Sequence, residues 1–599
     1  MAEKIPSRQE LAREDTWAIE DLYETDEAWL SDLEKLKALG ARLPGYAGKI
    51  SADAKTLLEY QRLGEEISLL LDSLANYAQR KSDEDTRNPV YQDLTGKLTK
   101  VWVQLGADTA FEVPELLSIS DERMEEFYRE EPELQLYRRH FDVIRRKKEH
   151  ILSESEEKLL AMAGEMAGTP EEVYSLFADA DLTFRPALDR DGNEHPITQG
   201  SYIAAMESPD RTLRKNAFES LYAGFGAYKN SVAAMLCGQV KQLEFFSKAR
   251  RYASPLEASL DATEVPVGVY HALIEAVHQN LDKLHRYMRL RKKLLGVDEL
   301  HMYDLYTPLI ETSQKRIPFD EAKKTVAQAL GVMGERYGAI LQEGFQNRWI
   351  DVYENTGKRG GAYCTGNGWP HPYVLLNHKD NLDSMFTLVH EMGHAMHTWH
   401  SCKYQPVNTA EYVIFVAEVA STCNEILLMR HLLGKTTDRK QRAYLINHFL
   451  DQFKGTVYRQ TMFAEFELEM GKLVESGEAL TADALSEKYH ALNKLYFGPD
   501  MVSDDEIALE WTRIPHFYYN YYVFQYATSF SAAVAIANRI LREGESAVKD
   551  YKKFLSGGCS KEPVELLRDM GVDMRTPAPV NDALSLFGEL IDELSELLG

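Results

Sequence analysis

The chain has 599 residues, of which 44% are hydrophobic and 10% aromatic, enough for a large buried core in two or more packed regions and too many for a disordered chain. Its net charge of −26 argues against nucleic acid and against an anionic membrane surface as partners, since both select a positive patch.

Five cysteines, Cys237, Cys364, Cys402, Cys423 and Cys559, are odd in number and widely spaced, which is not a disulfide framework and favours a reducing compartment. The N-terminal stretch MAEKIPSRQELAREDTW has no apolar core of a signal peptide. No run of about 18 apolar residues occurs. A cytoplasmic protein with no membrane span is expected.

In chain order, the first 200 residues read as amphipathic helices. AKTLLEYQRLGEEISLLLDSLANYAQRKSDED spaces its apolar residues by three and four, with charges between them. The segment 181–202 reads as a hairpin, with Asp191 and Gly192 at its turn. A domain boundary is expected near residue 200. It separates a helical N-terminal region (1–200) from a second domain (201–599) that opens with the helical run SPDRTLRKNAFESLYAGF.

KRGGAYCTGNG, residues 358–368, lacks the order of a phosphate loop and a helix after it. A strand carrying Gly360, Gly361, Ala362 and Tyr363 would instead offer bare backbone to an extended peptide by β-addition. The bland alternative is a turn-rich connection.

TLVHEMGHAMHTWHS holds four histidines and a glutamate in the pattern HExxH. On a helix, His390 and His394 lie about 40° apart and one turn above each other, so both imidazoles reach one ion. Glu391 sits about 100° round from His390, beside the ion rather than on it. Imidazole ligands with an open position suit zinc. Gly393 is small, which lets another backbone approach the metal face. His400 stands where a third histidine ligand falls in a related motif, but that motif needs a glycine at 397 to bend the chain back. If the helix continues, His400 lies about 15 Å further along the axis than His390 and about 80° away, too far to share an ion. His397 is also too far along, and a supporting or purely structural role is expected for it.

The following stretch NTAEYVIFVAEVASTCNEILLM offers Glu411, Glu418 and Glu425 at seven-residue spacing, on one broad helical face. Glu418 has the most apolar flanks. A carboxylate there is costly to bury unless paired or metal-bound, so Glu418 is the preferred third ligand. Glu425 suits the role of accepting the other N–H of a ligating imidazole; ordinary surface charge is the alternative for Glu411 and Glu425.

PHFYYNYYVFQYATS, on a helix from Pro515, places His516, Tyr519, Tyr522 and Tyr526 within about 120° of arc, with Tyr518 and Tyr521 pointing elsewhere. Histidine N–H and tyrosine O–H are suitable donors to a developing oxyanion; aromatic core packing is the alternative. The chain ends on an amphipathic helix with Leu584, Phe587, Ile591, Leu594 and Leu598 in one stripe.

Taken together, KRGGAYC, HEMGHAMH, FVAEVASTCNE and PHFYYNYYVFQYATS resemble, in order, the oligoendopeptidase F branch of the thimet oligopeptidase family of zinc metallopeptidases. The resemblance implies a mostly α, two-lobed fold with a deep substrate channel and a small β-sheet near the active site. It implies one zinc ion per chain on His390, His394 and Glu418, with Glu391 as general base and a histidine and tyrosine from the aromatic run as oxyanion donors. The expected activity is hydrolysis of internal bonds in short unfolded oligopeptides by a zinc-activated water. A zinc carboxypeptidase of similar fold and a non-catalytic peptide-binding protein are the rivals; the intact Glu391 speaks against the second, because binding alone needs no base.

Overall fold

Asp53 starts the first long helix, its Oδ1 accepting the Thr56 N–H at 2.9 Å, and that helix runs over Ala54–Glu84 as its apolar spacing predicts. The computed structural model describes residues 5–310, 316–366 and 369–599, and it is mostly α, as expected, with a few short strands. Eight elements carry the candidate residues and their neighbours. The helices are α1 (Lys229–Ala249), α2 (Leu382–Tyr404), α3 (Ile414–Lys435), α4 (Arg459–Glu475) and α5 (Phe524–Glu543). The strands are β1 (Ile350–Asp351), β2 (Tyr363–Thr365) and β3 (Tyr373–Leu375).

Two compact units divide the chain, and neither is a continuous stretch. Unit 1 comprises Met1–Lys148, Gln314–Leu428 and Ile536–Gly571; unit 2 comprises Glu149–Ser313, Met429–Ala535 and Val572–Gly599. This spatial grouping is not the single cut near residue 200 that the sequence suggests. Two of its crossings fall inside α3 and α5, where an unbroken helix leaves no Pro- or Gly-rich linker to mark them.

In unit 1, the N-terminal helices and β3 share one apolar core, in which Tyr373 and Leu375 pack among Trp17, Trp29, Leu57, Leu74 and Phe127. The strand order is β1-β3-β2, with β3 parallel to β1 and antiparallel to β2. Tyr363 pairs with Leu375, Cys364 with Val374 and Thr365 with Tyr373, which makes β2 an edge strand lying against α2. Asp351 of β1 is fully buried and ion-paired, to Arg8 and, at 2.6 Å, to the Lys358 Nζ. The guanidinium and ammonium hold that carboxyl below its usual range against the opposing effect of burial. Arg8 thus ties the N-terminal region to β1.

Unit 2 contains the expected hairpin, Ala187–Leu188 against Glu194–His195. Gly192 takes φ +84° at its turn, and Asp189 Oδ1 accepts the N–H groups of Asp191 and Asn193. The C-terminal stripe is buried at Leu584, Phe587, Ile591 and Leu594 of the helix Ala578–Leu598.

On α4, Glu467 is only 4% exposed. Its Oε1 accepts the Tyr521 N–H at 2.8 Å and its Oε2 has no hydrogen-bond partner among the described residues. Burial pushes its pKa from 4.5 up to about 8. Between these values the unfolded chain has released the proton and the folded chain retains it, so stability falls as pH rises from 4.5 to 8. Glu467→Gln removes that loss. The expected result is a mutant Tm that gains on the wild type steadily across this interval; a pH-independent difference would refute the assignment.

Candidate metal centre and aromatic loop

Helix α2 starts at Asn381, whose side chain caps the Ser384 N–H at 2.8 Å, and it runs without a break through Tyr404. The HExxH residues therefore stand on regular helix. His390 and His394 have ring centroids 4.9 Å apart. Opposite them on α3, Glu418 Oε2 lies 3.3 Å from His390 Nε2 and 3.4 Å from His394 Nε2. These are the three donor groups among the described residues that converge as metal ligands would, all within 4.8 Å of one another. The two imidazoles and one carboxylate fit a zinc-like ion that leaves a position open.

The surrounding groups orient these donors. His390 Nδ1 bonds Glu425 Oε1 at 2.6 Å, which leaves Nε2 facing Glu418. Ser421 Oγ donates to the same Glu418 Oε2 at 3.0 Å and helps to fix the carboxylate. Ser421 was not singled out from the sequence; its place three residues after Glu418 is its one signal there. Burial disfavours a charged His390, yet the carboxylates of Glu418 and Glu425 override it and raise its pKa well above the ordinary value. Burial also opposes ionisation of Glu418, and there the two histidines prevail and lower its pKa. The site thus concentrates negative potential where a cation would sit.

Glu391 is buried beside this group, and its Oε2 has no hydrogen-bond partner among the described residues. Burial raises its pKa, opposed by His390 and His394. A carboxyl so placed is a stronger base than an exposed one.

The approach of α2 to α3 depends on Gly393. A methyl group there would lie 2.5 Å from Ser421 Cα and 2.8 Å from the Ala420 carbonyl oxygen. Both are backbone atoms that cannot rotate away. Gly393→Ala is expected to force the helices apart, at about 1–3 kcal/mol or more, and to weaken metal retention. Unchanged Tm and metal content would show that the helices have slack.

The remaining histidines of α2 are not among the three converging groups. His397 is buried and stacked on Tyr412 at 3.7 Å, with burial depressing its pKa well below the usual value. His400 Nδ1 bonds the Met396 carbonyl oxygen at 2.7 Å within the helix. Glu411 does not share a helical face with Glu418 and Glu425. It has extended backbone (φ −70°, ψ 152°) after the short helix Val407–Ala410, three residues before α3 starts.

The glycine-rich segment also differs in part from its reading. Gly360, Gly361 and Ala362 precede the strand, which starts at Tyr363. Gly361 has φ +82°, and Asn377 Nδ2 donates to the carbonyl oxygens of Arg359 and Gly361 at 3.0 and 2.8 Å. The Tyr363 hydroxyl bonds Asp83. Asn367 and Gly368, at the end of the quoted segment, lie outside the described residues. β2 has one strand neighbour among the described residues, β3, and Cys364 is at its centre. The thiol is half-buried; desolvation raises its pKa, and the nearby Glu391 charge adds to the effect.

The aromatic run, in unit 2, is not one helix. A 3-10 turn spans Pro515–Tyr518 and α5 starts at Phe524. Between them Asn520 and Tyr521 take positive φ, +55° and +60°. The four candidate donors still gather: His516 lies 5.5 Å from Tyr519, 6.4 Å from Tyr522 and 6.1 Å from Tyr526, centroid to centroid. Tyr519 is 44% exposed. Tyr518 and Tyr521 do point elsewhere, buried against Tyr174 and Tyr270. Burial lowers the His516 pKa, so its ring is a neutral donor at neutral pH.

The sequence pattern of peptidase family M3 matches residues 204–586, and one described as oligopeptidase F matches residues 115–184. The oligopeptidase PepF of Bacillus subtilis is 46% identical over 597 residues, which cover 100% of this chain and 89% of that protein. The chromosomal oligoendopeptidase F of Lactococcus lactis subsp. cremoris is 39% identical over 99% of each chain. The crystal structure of oligoendopeptidase-F from Enterococcus faecium superposes with a TM-score of 0.75 at 37% identity, covering 96% of this chain and 99% of its own.

Proposed function

Since this chain belongs to peptidase family M3 and is a metallo-oligoendopeptidase, we propose that His390, His394 and Glu418 hold one zinc ion for the hydrolysis of internal bonds in short unfolded oligopeptides. The observation that carries this reading is the convergence of three donor groups beside a buried, unpartnered carboxyl oxygen. A zinc ion held there would polarise the scissile carbonyl and ease deprotonation of the attacking water.

The chain's own residues supply the rest. Glu391 takes the proton from the attacking water and passes it to the leaving nitrogen. His516, with Tyr519, Tyr522 and Tyr526 around it, donates hydrogen bonds to the oxyanion. The edge of β2 binds the peptide main chain in extended form, with Gly360, Gly361, Ala362 and Tyr363 at its entrance. Such backbone recognition favours peptides over folded proteins, whose strands are already paired. Glu425 and His397 support the metal helix, one by hydrogen bond and one by stacking. In this reading residues 201–599 form the catalytic domain and residues 1–200 the helical N-terminal region. The five cysteines are all free, which suits a cytoplasmic setting. No helix among the described residues is long and apolar enough to cross a membrane.

Incubating the purified protein with a quenched fluorescent oligopeptide, with and without chelator, tests the reading, with products identified by mass spectrometry. Internal cleavage lost with chelator and restored by zinc is expected. Restoration by manganese or cobalt alone would overturn zinc. Stepwise release from the C-terminus would make the protein a carboxypeptidase, and stoichiometric zinc without cleavage would make it a binding protein.

A further inference from the structure

Two consecutive non-glycine residues with positive φ are an unusual way to connect a 3-10 turn to a helix. Each such residue is strained and persists only where its surroundings over-determine it. Tyr521, with a bulky side chain, is the less expected of the pair.

Both residues are held from outside the loop by buried polar groups. Glu467 of α4 accepts the Tyr521 N–H at 2.8 Å. Gln239 of α1, itself 4% exposed, donates from Nε2 to the Tyr518 carbonyl oxygen at 2.8 Å and to Asn520 Oδ1 at 2.9 Å. A third contact acts on the Tyr521 side chain. Its hydroxyl lies where a Cβ at Gly471 would stand, one turn beyond Glu467 on the same helix. These contacts bury Tyr518 and Tyr521 and leave His516, Tyr519, Tyr522 and Tyr526 as the facing group.

We infer that Glu467 and Gln239 are positioning residues for the aromatic loop, clamping Asn520 and Tyr521 in the left-handed region so that His516 and the three tyrosines face one another. The inference rests on the reading of that loop as the source of oxyanion donors. Both clamp residues are buried, and they act through the loop: Glu467 on its backbone, Gln239 on a carbonyl oxygen and on the Asn520 side chain. Because the interaction at Glu467 is acceptance of one N–H, a glutamine serves as well as a protonated glutamic acid. Burial keeps Glu467 protonated up to a pH of about 8, which makes glutamine the faithful substitute at neutral pH.

The experiment compares Glu467→Leu, Glu467→Gln, Gln239→Leu and His516→Ala in the full-length, metal-loaded protein, with kcat, KM, metal content and Tm read for each. His516→Ala tests the donor reading by itself. The expected result is that His516→Ala, Glu467→Leu and Gln239→Leu each lower kcat by about 10- to 100-fold with KM and metal content little changed. Glu467→Gln should restore kcat to within a factor of about two of the wild type. A donor lost only in the transition state moves kcat rather than KM, whereas simple loosening of the fold moves Tm and not this split. If His516→Ala lowers kcat but Glu467→Leu and Gln239→Leu do not, the clamp is overturned and the donor reading stands. If Glu467→Gln is as impaired as Glu467→Leu, acceptance of the Tyr521 N–H is not the role, and the inference fails even if Glu467→Leu does not fold. If His516→Ala leaves kcat unchanged, the donor reading fails and takes the clamp with it.

Discussion

Glu391→Gln is expected to lower kcat by about 10²–10⁴-fold while the protein retains its metal. The substitution keeps the volume and shape of the side chain and removes only the base. Nothing in the ligand set depends on the Glu391 carboxylate: His390 is oriented by Glu425 through Nδ1, and Glu418 by Ser421. Stability should not suffer either. Glu391 is buried, and its Oε2 has no hydrogen-bond partner among the described residues, so the wild type pays for desolvating this group and a neutral amide reduces that penalty. The predicted phenotype is therefore an inactive, metal-loaded protein at least as heat-resistant as the wild type. Peptidase assay, elemental analysis and a thermal melt on one preparation test all three statements. A loss of less than about tenfold would remove Glu391 as general base. A loss of metal would show that its carboxylate helps hold the ion and that the division of roles within HExxH is different here.

Much of this centre is legible in the sequence because its geometry is local. Residues four apart on a helix face one another whatever surrounds them, so His390 and His394 follow from spacing alone. Gly393 reads as a point of close approach, and it is one, against the backbone of Ala420 and Ser421. Glu418 follows from the energetics of burying a carboxylate among valines and alanines. Glu411 shares the seven-residue spacing but not the face, because α3 starts only at Ile414 and periodicity does not show where a helix starts.

The aromatic run is the clearer failure of local reasoning. As one helix, residues 515–526 place the same four side chains on one arc, so the grouping is anticipated for the wrong reason. The break at Asn520 and Tyr521 depends on Glu467 and Gln239, which are 54 and 281 residues away from the groups they bond. Neither stands out within its own helix, where each reads as one polar residue among many. Its importance comes from burial against a particular loop. The spatial units were hidden for a related reason. They are assembled from separated stretches of chain, and composition along a sequence reports linkers rather than contacts.

Glu418→Ala is expected to abolish stable metal binding and activity with it, and Glu425→Gln provides the scale for that loss. Glu425 bonds His390 Nδ1 at 2.6 Å and is not one of the three converging donors. Replacing such an outer partner reduces metal affinity by about 10- to 100-fold. Excess zinc should therefore recover most of the activity of Glu425→Gln. Glu418 differs because its Oε2 faces both imidazoles, at 3.3 and 3.4 Å, and it supplies the negative charge nearest the place the ion would occupy. Without it two neutral nitrogen donors remain, one short of the three protein ligands a catalytic zinc uses. Affinity should fall well beyond the Glu425→Gln value, and added zinc should restore little. Helix packing should survive, since Gly393 still lies against Ser421 and Ala420. A titration of zinc into metal-free wild type, Glu425→Gln and Glu418→Ala by calorimetry orders the three. If Glu418→Ala binds zinc as tightly as Glu425→Gln, Glu418 is an outer partner rather than a ligand, and the third ligand belongs to another residue.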